Sequence, residues 1–142
     1  RQHPEKAIPC WILAALSGGP LPVHGEGTAI RDWLFVEDFA RGIVAGLHRW
    51  QDQATWHFAG QQHTENRRMA GRVNTILGAS GLQFGPDRQG QDSRYALNDM
   101  STRAALDWAP QVSLEDGLLA TIDWYRHHAH LWDGEAPHLP VH

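Results

Sequence analysis

One cysteine, one lysine and two tyrosines among 142 residues exclude much chemistry before any motif is read. Cys10 on its own rules out an intrachain disulfide and a thiolate metal cluster. Lys6 stands against eleven arginines, so a reaction that needs a lysine has only that one to use. Long apolar runs are missing too. The stretch Ile12–Leu16 falls far short of the roughly 20 residues that span a bilayer. Positive charge is not in excess: the net charge is −4 with ten histidines counted neutral, which argues against broad nucleic-acid or anionic-membrane binding. No signal peptide is evident, and the sequence opens on Arg1 rather than Met. The expectation is a cytoplasmic protein whose chain is truncated or is a segment of something larger.

What is present is an ordinary foldable composition, 42% hydrophobic and 20% charged, at a length that suits one core. Ile8, Ile12, Leu13 and Leu16 repeat at helical spacing until Gly18-Gly19-Pro20, with Pro9 tolerable only in the first turn. Leu21–His24 and Ile30–Val36 read as extended pieces around the turn Gly25-Glu26-Gly27. A helix is expected from Val36 to Trp50 with Phe39, Ile43, Val44 and Leu47 on its buried stripe. Residues 54–58 read as a strand, and Thr64 as the cap of a helix that ends at Leu77 before Gly78. Residues 82–84 and 94–97 read as short strands. Asp99 or Ser101 is placed to cap a short helix to Leu106. The last helix opens on Ser113-Leu114-Glu115-Asp116, and Leu114, Leu118, Ile122 and Tyr125 form its stripe. About five helices with four or five short strands predict a small α/β lobe of α+β character. Its domain is expected over residues 1–132, with residues 133–142 an irregular tail.

Several patterns invite chemistry. Gly25-Glu26-Gly27 follows a strand, but a dinucleotide fingerprint needs a glycine three residues later at a helix start. Ile30 occupies that place and opens a strand, so the segment reads as a turn. His127 and His130 lie on one helical face and could bridge a divalent ion, yet no third ligand is evident and histidines also suit a helix C-terminus. No metal site is assigned. Trp11, Trp33, Trp108 and Trp124 read as core, whereas Trp50, Trp56 and Trp132 are less determined. Arg31, Arg88 and Arg94 sit beside Asp32, Asp87 and Asp92. Arginine forks suit a pyrophosphate, but Arg–Asp pairs holding loops together are the commoner use of such neighbours.

Longer motifs occur in one order: Gln2-His3-Pro4-Glu5-Lys6, Leu21-Pro22-Val23-His24-Gly25-Glu26-Gly27, and Ile30-Arg31-Asp32-Trp33-Leu34-Phe35-Val36-Glu37-Asp38. Asp87-Arg88-Gln89-Gly90-Gln91-Asp92-Ser93-Arg94-Tyr95 and Leu106-Asp107-Trp108-Ala109-Pro110 follow. Together they resemble the C-terminal part of the dTDP-glucose 4,6-dehydratases, an NAD-dependent epimerase/dehydratase group within the extended short-chain dehydrogenase/reductase superfamily. The resemblance implies a smaller lobe that grips a nucleotide-diphosphate sugar, without the Rossmann domain that carries NAD and the catalytic residues in intact members. It implies no catalytic residue and no cofactor in this chain. The superfamily's Tyr-x-x-x-Lys pair cannot be formed, because Asp99 and Ala129 stand four residues beyond Tyr95 and Tyr125.

The resemblance also implies a site. Arg31 and Arg88 would hold the diphosphate, with Asp87 and Gly90 keeping part of the Asp-Arg-Pro-Gly-His loop. Pro22, Val23 and His24 would pack on the base, and Lys6 and Asn66 would reach flanking hydroxyl or phosphate groups. Departures touch the same places: Ala7 replaces a leucine, His24 a tyrosine, Gln89 a proline and Gln91 a histidine. The usual Asn-Ile-Gly-Gly is His57-Phe58-Ala59-Gly60 here. Three readings follow: an isolated binding lobe, weak and inactive alone; a non-catalytic scaffold that self-associates through the face a Rossmann domain would cover; or a fragment of a complete NAD-dependent dehydratase.

Overall fold

The computed structural model describes residues 2–50 and 55–132. They form five α-helices and four short strands in the order α1 (Ala7–Leu16), β1 (Leu21–His24), β2 (Ile30–Asp32), α2 (Val36–His48), β3 (His63–Glu65), α3 (Asn66–Leu77), β4 (Leu82–Gly85), α4 (Met100–Leu106) and α5 (Leu114–His128). A 3-10 turn over Ala129–Trp132 follows. This is the mixed α/β lobe expected. The proposed tail, 133–142, lies outside the described residues. The chain divides into two compact units. The first comprises Arg1–Ala29, Glu65–Ser93 and Leu119–His142; the second, Ile30–Thr64 and Arg94–Leu118.

In the first unit β1 and β4 pair in parallel, Leu21 opposite Leu82 through His24 opposite Gly85. Helices α1 and α3 pack on these strands and on each other. Pro9 falls in the first turn of α1, where its missing N–H has no intrahelical use. Beyond it Cys10 to Ala14 are all buried, which is why α1 shows little amphipathic contrast. Trp11 Nε1 donates to the Pro22 carbonyl at 2.7 Å and fastens helix to strand. Ile12, Leu21, Met69 and Val73 are fully buried, each worth about 1.5–3 kcal/mol of transfer free energy. Gly78 closes α3 in the left-handed conformation, as its position predicted. Tyr125 from α5 both donates to the Gln2 carbonyl (2.9 Å) and accepts from the Gln2 N–H (3.1 Å).

In the second unit β2 pairs with β3, and Ile30 makes a parallel bridge to Arg94. Asp38, wholly buried in α2, accepts from the N–H groups of Gln111 (3.0 Å) and Val112 (3.1 Å) and pairs with Arg41. Its carbonyl takes Trp108 Nε1 at 3.0 Å. Asp99, also fully buried, accepts from Ala59 N, Gln61 Nε2 and Arg103 Nε. The Leu-Asp-Trp-Ala-Pro motif is thereby tied to α2 by a backbone carbonyl 70 residues earlier, and the two residues after the motif by the carboxylate of the same Asp38.

Several local expectations give way. Helix α2 buries Asp38, Gly42 and Gly46, while Phe39, Ile43, Val44 and Leu47 are exposed. The inward side is the one with glycines because a Cβ on Gly42 would meet Phe58 Cε1 at 2.5 Å. Hydrophobic periodicity marks an apolar face without saying that anything in the chain covers it. Residues 55–58 are irregular rather than extended, Ala54 lying outside the described residues; the strand is His63–Glu65. That strand displaces the Thr64 cap, so α3 opens from Glu65 instead. The extended piece from Ile30 stops at Asp32, and residues 94–97 contribute only the Arg94 bridge. Asp99 occupies the N-cap position of α4 but spends its carboxylate elsewhere. The Ser113 hydroxyl and Asp116 do bond each other at the start of α5. Trp11 and Trp108 are buried and Trp33 and Trp124 half-buried. Trp132 packs on Trp124 and Tyr125, Trp56 lies against Gly46, and Trp50 is exposed.

Candidate functional site

Eight of the nine residues singled out by sequence lie in the first unit, and Arg31 lies in the second. Parallel strands place their carboxyl ends on one edge, where ligands of open α/β layers characteristically sit. His24 and Gly85 end β1 and β4 side by side. Alternation points Leu21 and Val23 into the core, Val23 being 2% exposed, and leaves Pro22 and His24 half-buried on the other side. Val23 therefore offers backbone and not a side-chain surface to a ligand.

The turn after β1 and the loop after β4 interlock. Gly25 N donates to the Gly85 carbonyl at 3.1 Å, and His24 Nδ1 lies 3.4 Å from the Pro86 carbonyl. The Asp87 carboxylate accepts from Arg88 N (2.9 Å) and Gln91 Nε2 (2.6 Å), folding residues 87–91 into a self-capped turn with Gly90 at φ 73°. Gln91, which departs from the resembled motif, thus has a structural use. Lys6 precedes α1 and pairs with Glu5 at 3.0 Å. The Glu5 carboxyl is held below its usual range by the hydrogen bond from Lys6, then by the Lys6 charge, with smaller pulls from His3 and Arg88. Glu5 thus feels Lys6 first and Arg88 only weakly.

Asn66 opens α3. Its N–H donates to the Ala29 carbonyl (3.0 Å) and that of Arg67 to Gly27 (2.9 Å). The Asn66 side-chain oxygen is buried without a hydrogen-bond partner among the described residues. A buried acceptor left so is costly, and a ligand donor would satisfy it. Beside it, Arg67 and Arg68 converge on Glu65, whose carboxyl is lowered first by the Arg67 hydrogen bond. Sequence reading did not single out this cluster or the Glu5 partner of Lys6. The adjacent Glu-Asn-Arg-Arg run was its only signal.

The expected Arg–Asp pairs do not form. Asp32 accepts from Gly60 N (3.0 Å) and Gln62 N (2.8 Å). Arg31 folds its guanidinium onto the Ile30 carbonyl at 2.8 Å. Arg94 approaches His63 Nδ1 at 3.5 Å. Among the described residues Arg31, Arg88 and Arg94 make no ion pair, because short carboxylates beside irregular backbone bond the nearest N–H groups in preference. A groove of about 560 Å³ in the second unit, lined by Met100, Arg103, Trp108 and Gln111 among others, contains none of the nine residues.

Gly25-Glu26-Gly27 is a turn closed by Gly27 N to the His24 carbonyl at 3.0 Å. Cβ positions built on Gly25 and Gly27 run into Asp87, Val23 and Arg67. These glycines make room for the protein's own side chains, not for a pyrophosphate, so the segment does not fit NAD. His127 bonds to Asp123, and His128 stacks on Trp124 at 4.4 Å. Among the described residues no three His, Cys, Asp or Glu side chains are grouped to hold a metal ion, and no helix is long and apolar enough to cross a membrane.

Residues 1–59 match the NAD dependent epimerase/dehydratase family. In sequence and fold the chain is similar to the C-terminal part of proteins of that kind. More particularly, it is similar to dTDP-glucose 4,6-dehydratases. It is 35% identical over 139 residues to the enzyme of Streptomyces griseus, covering 96% of this chain and 42% of that one. Identity to the Neisseria gonorrhoeae enzyme is 38% over 138 residues, covering 88% and 40%. The solved dTDP-glucose 4,6-dehydratase of Bacillus anthracis str. Ames, in complex with NAD, superposes with a TM-score of 0.87 at 32% identity over 94% of this chain and 43% of that one. The Streptomyces venezuelae enzyme gives 0.89 at 37%, covering 94% and 42%. The chain spans about two-fifths of the length of the curated relatives it matches.

Proposed function

We propose that this chain is a nucleotide-diphosphate-sugar-binding lobe of the dTDP-glucose 4,6-dehydratase kind. The observation that carries the reading is the edge where β1 and β4 end. The loop that carries Arg88 leaves it, with Arg88 in no ion pair among the described residues, and Asn66, whose side-chain oxygen is unsatisfied, opens the adjoining helix. Arg88 and Lys6 supply charge-assisted donors for a diphosphate, and Asp87 and Gly90 fix the loop that presents Arg88. Pro22 and His24 give the base a flat, half-apolar bed, smaller than a tyrosine would offer. Asn66 takes a sugar or ribose hydroxyl.

The binding is weak and the lobe holds no reacting groups. The exposed Arg88 contacts a diphosphate through solvent-screened fields, and Tyr95 and Tyr125 lack the lysine four residues on that relatives would use. Isothermal calorimetry of the 142-residue chain with dTDP and dTDP-glucose tests this. Binding in the range of about 0.1–1 mM is expected, with dTDP carrying most of it. No heat at millimolar nucleotide would sink the reading. Loss of water from dTDP-glucose in the presence of NAD would overturn the non-catalytic part.

A further inference from the structure

The Tyr125 hydroxyl serves one residue twice: it donates to the Gln2 carbonyl at 2.9 Å and accepts the Gln2 N–H at 3.1 Å, across 123 residues of chain. A side chain here does what a paired strand does, holding a residue by both of its backbone groups. The ring behind the hydroxyl is itself held. Tyr125 is buried, Trp124 meets it edge-on at 5.0 Å, and Trp132 lies against it at 5.1 Å. What this clasp secures is the entry to α1. Pro4 is buried, the Lys6 N–H donates to the His3 carbonyl at 3.0 Å, and the Lys6 carbonyl accepts the Cys10 N–H at 2.9 Å. Lys6 is thus the extended N-cap of α1, with the clasped turn before it and a buried helix after it.

We propose that Tyr125 is a positioning residue for Lys6: its paired hydrogen bonds to Gln2 fix the turn of residues 2–6 so that the ammonium is presented to a nucleotide diphosphate. The inference rests on the reading of Lys6 as a diphosphate donor. Lys6 depends on its backbone for direction, because its side chain is 59% exposed and its ion-pair partner Glu5 51%. Surface pairs of that kind hold a long side chain loosely. A flexible four-carbon stem loses freedom when it binds an anion, and a turn that is also free adds a further ordering cost. The clasp removes the second cost before the ligand arrives. Its worth is about threefold to fivefold in affinity rather than orders of magnitude, since Pro4 and α1 hold the turn from the other end.

A double-mutant cycle on the 142-residue chain, read by calorimetry with dTDP, tests the assignment. Tyr125→Phe keeps the ring and removes both bonds. Water takes over the two groups of the exposed Gln2, so circular dichroism should be unchanged. The variant is expected to weaken dTDP binding about threefold to fivefold on its own, and not at all when added to Lys6→Ala. Hydrogen exchange of the Lys6 amide should quicken at least about threefold, with that of Val73 in the core unchanged. Equal losses of affinity with and without Lys6→Ala would return Tyr125 to a structural role. Full affinity in Tyr125→Phe, full affinity in Lys6→Ala, or an unchanged Lys6 exchange would each overturn the positioning while dTDP still binds the wild type. No heat with the wild type would overturn this proposal together with the binding reading it rests on.

Discussion

Asp87 occupies the space that a side chain on Gly25 would need: a Cβ built there lies 2.7 Å from the Asp87 Cγ. Gly25 also holds φ 53°, so the turn after β1 is shaped for glycine twice over, once by conformation and once by its neighbour. The Asp87 carboxylate in turn fixes the backbone of Arg88 and the side chain of Gln91. Gly25→Ala should therefore push away the loop that presents Arg88. We expect a stability loss of about 1–3 kcal/mol in urea unfolding and a nucleotide affinity reduced about tenfold. A variant with full affinity would show that the loop does not position the ligand.

The unpaired arginines make a different prediction. Neither Arg31 nor Arg88 is in an ion pair among the described residues, so removing either leaves no buried charge behind. Arg31→Ala and Arg88→Ala should unfold within about 0.5 kcal/mol of wild type. Arg88→Ala should also weaken dTDP binding about threefold to tenfold, and the wild-type affinity should fall with added salt. Calorimetry at two ionic strengths reads both effects. Lost stability without lost affinity would return Arg88 to a structural role.

Asp99 is the acid-sensitive element of the second unit. Burial raises its carboxyl pKa, but the Arg103 hydrogen bond and charge, the Ala59 N–H and Gln61 together outweigh that and hold it below its usual value. A carboxyl depressed by folding stabilises above the unfolded pKa of about 3.9, and that contribution is lost as pH falls through the folded value. Asp99→Ala should cost about 3 kcal/mol at pH 7, since it strands the Arg103 guanidinium and the Ala59 N–H. The gap between variant and wild type should close below about pH 4. Urea midpoints measured from pH 7 to pH 3 check it; a constant gap would exclude the linkage.

How much of this was legible in the sequence depended on how local the cause was. Leu21–His24 and the C-terminus of α3 before Gly78 were readable because alternation and a left-handed glycine act within a few residues. Asp38 and Asp99 were not, because their partners lie 73 and 40 residues away along the chain. The face of α2 misled for a related reason. Apolar periodicity reports which side shuns water, whereas Gly42 and Gly46 show which side another segment approaches closely. Among the candidate site residues, Asp87 and Arg88 were singled out through a motif of neighbours. Glu5 became visible only as a charge beside Lys6.

Cys10 supplies the last prediction, at the opposite end of the pH scale. It is buried in α1, and burial alone pushes its thiol pKa up to about 11. A thiol raised by folding stabilises fully below the unfolded pKa of about 8.5, and that stability is lost as pH climbs towards the folded value. The buried Tyr125 hydroxyl is also raised by burial, so it adds a loss of the same sign at still higher pH. Wild type should lose on the order of 1–3 kcal/mol between pH 8 and pH 10.5. Cys10→Ala should start about 1 kcal/mol lower at pH 8 from the small cavity, yet fall less steeply, leaving only the Tyr125 share. Urea unfolding of both proteins at the two pH values measures the slopes. Equal slopes would show that the Cys10 thiol ionises as readily in the folded chain as in the unfolded one.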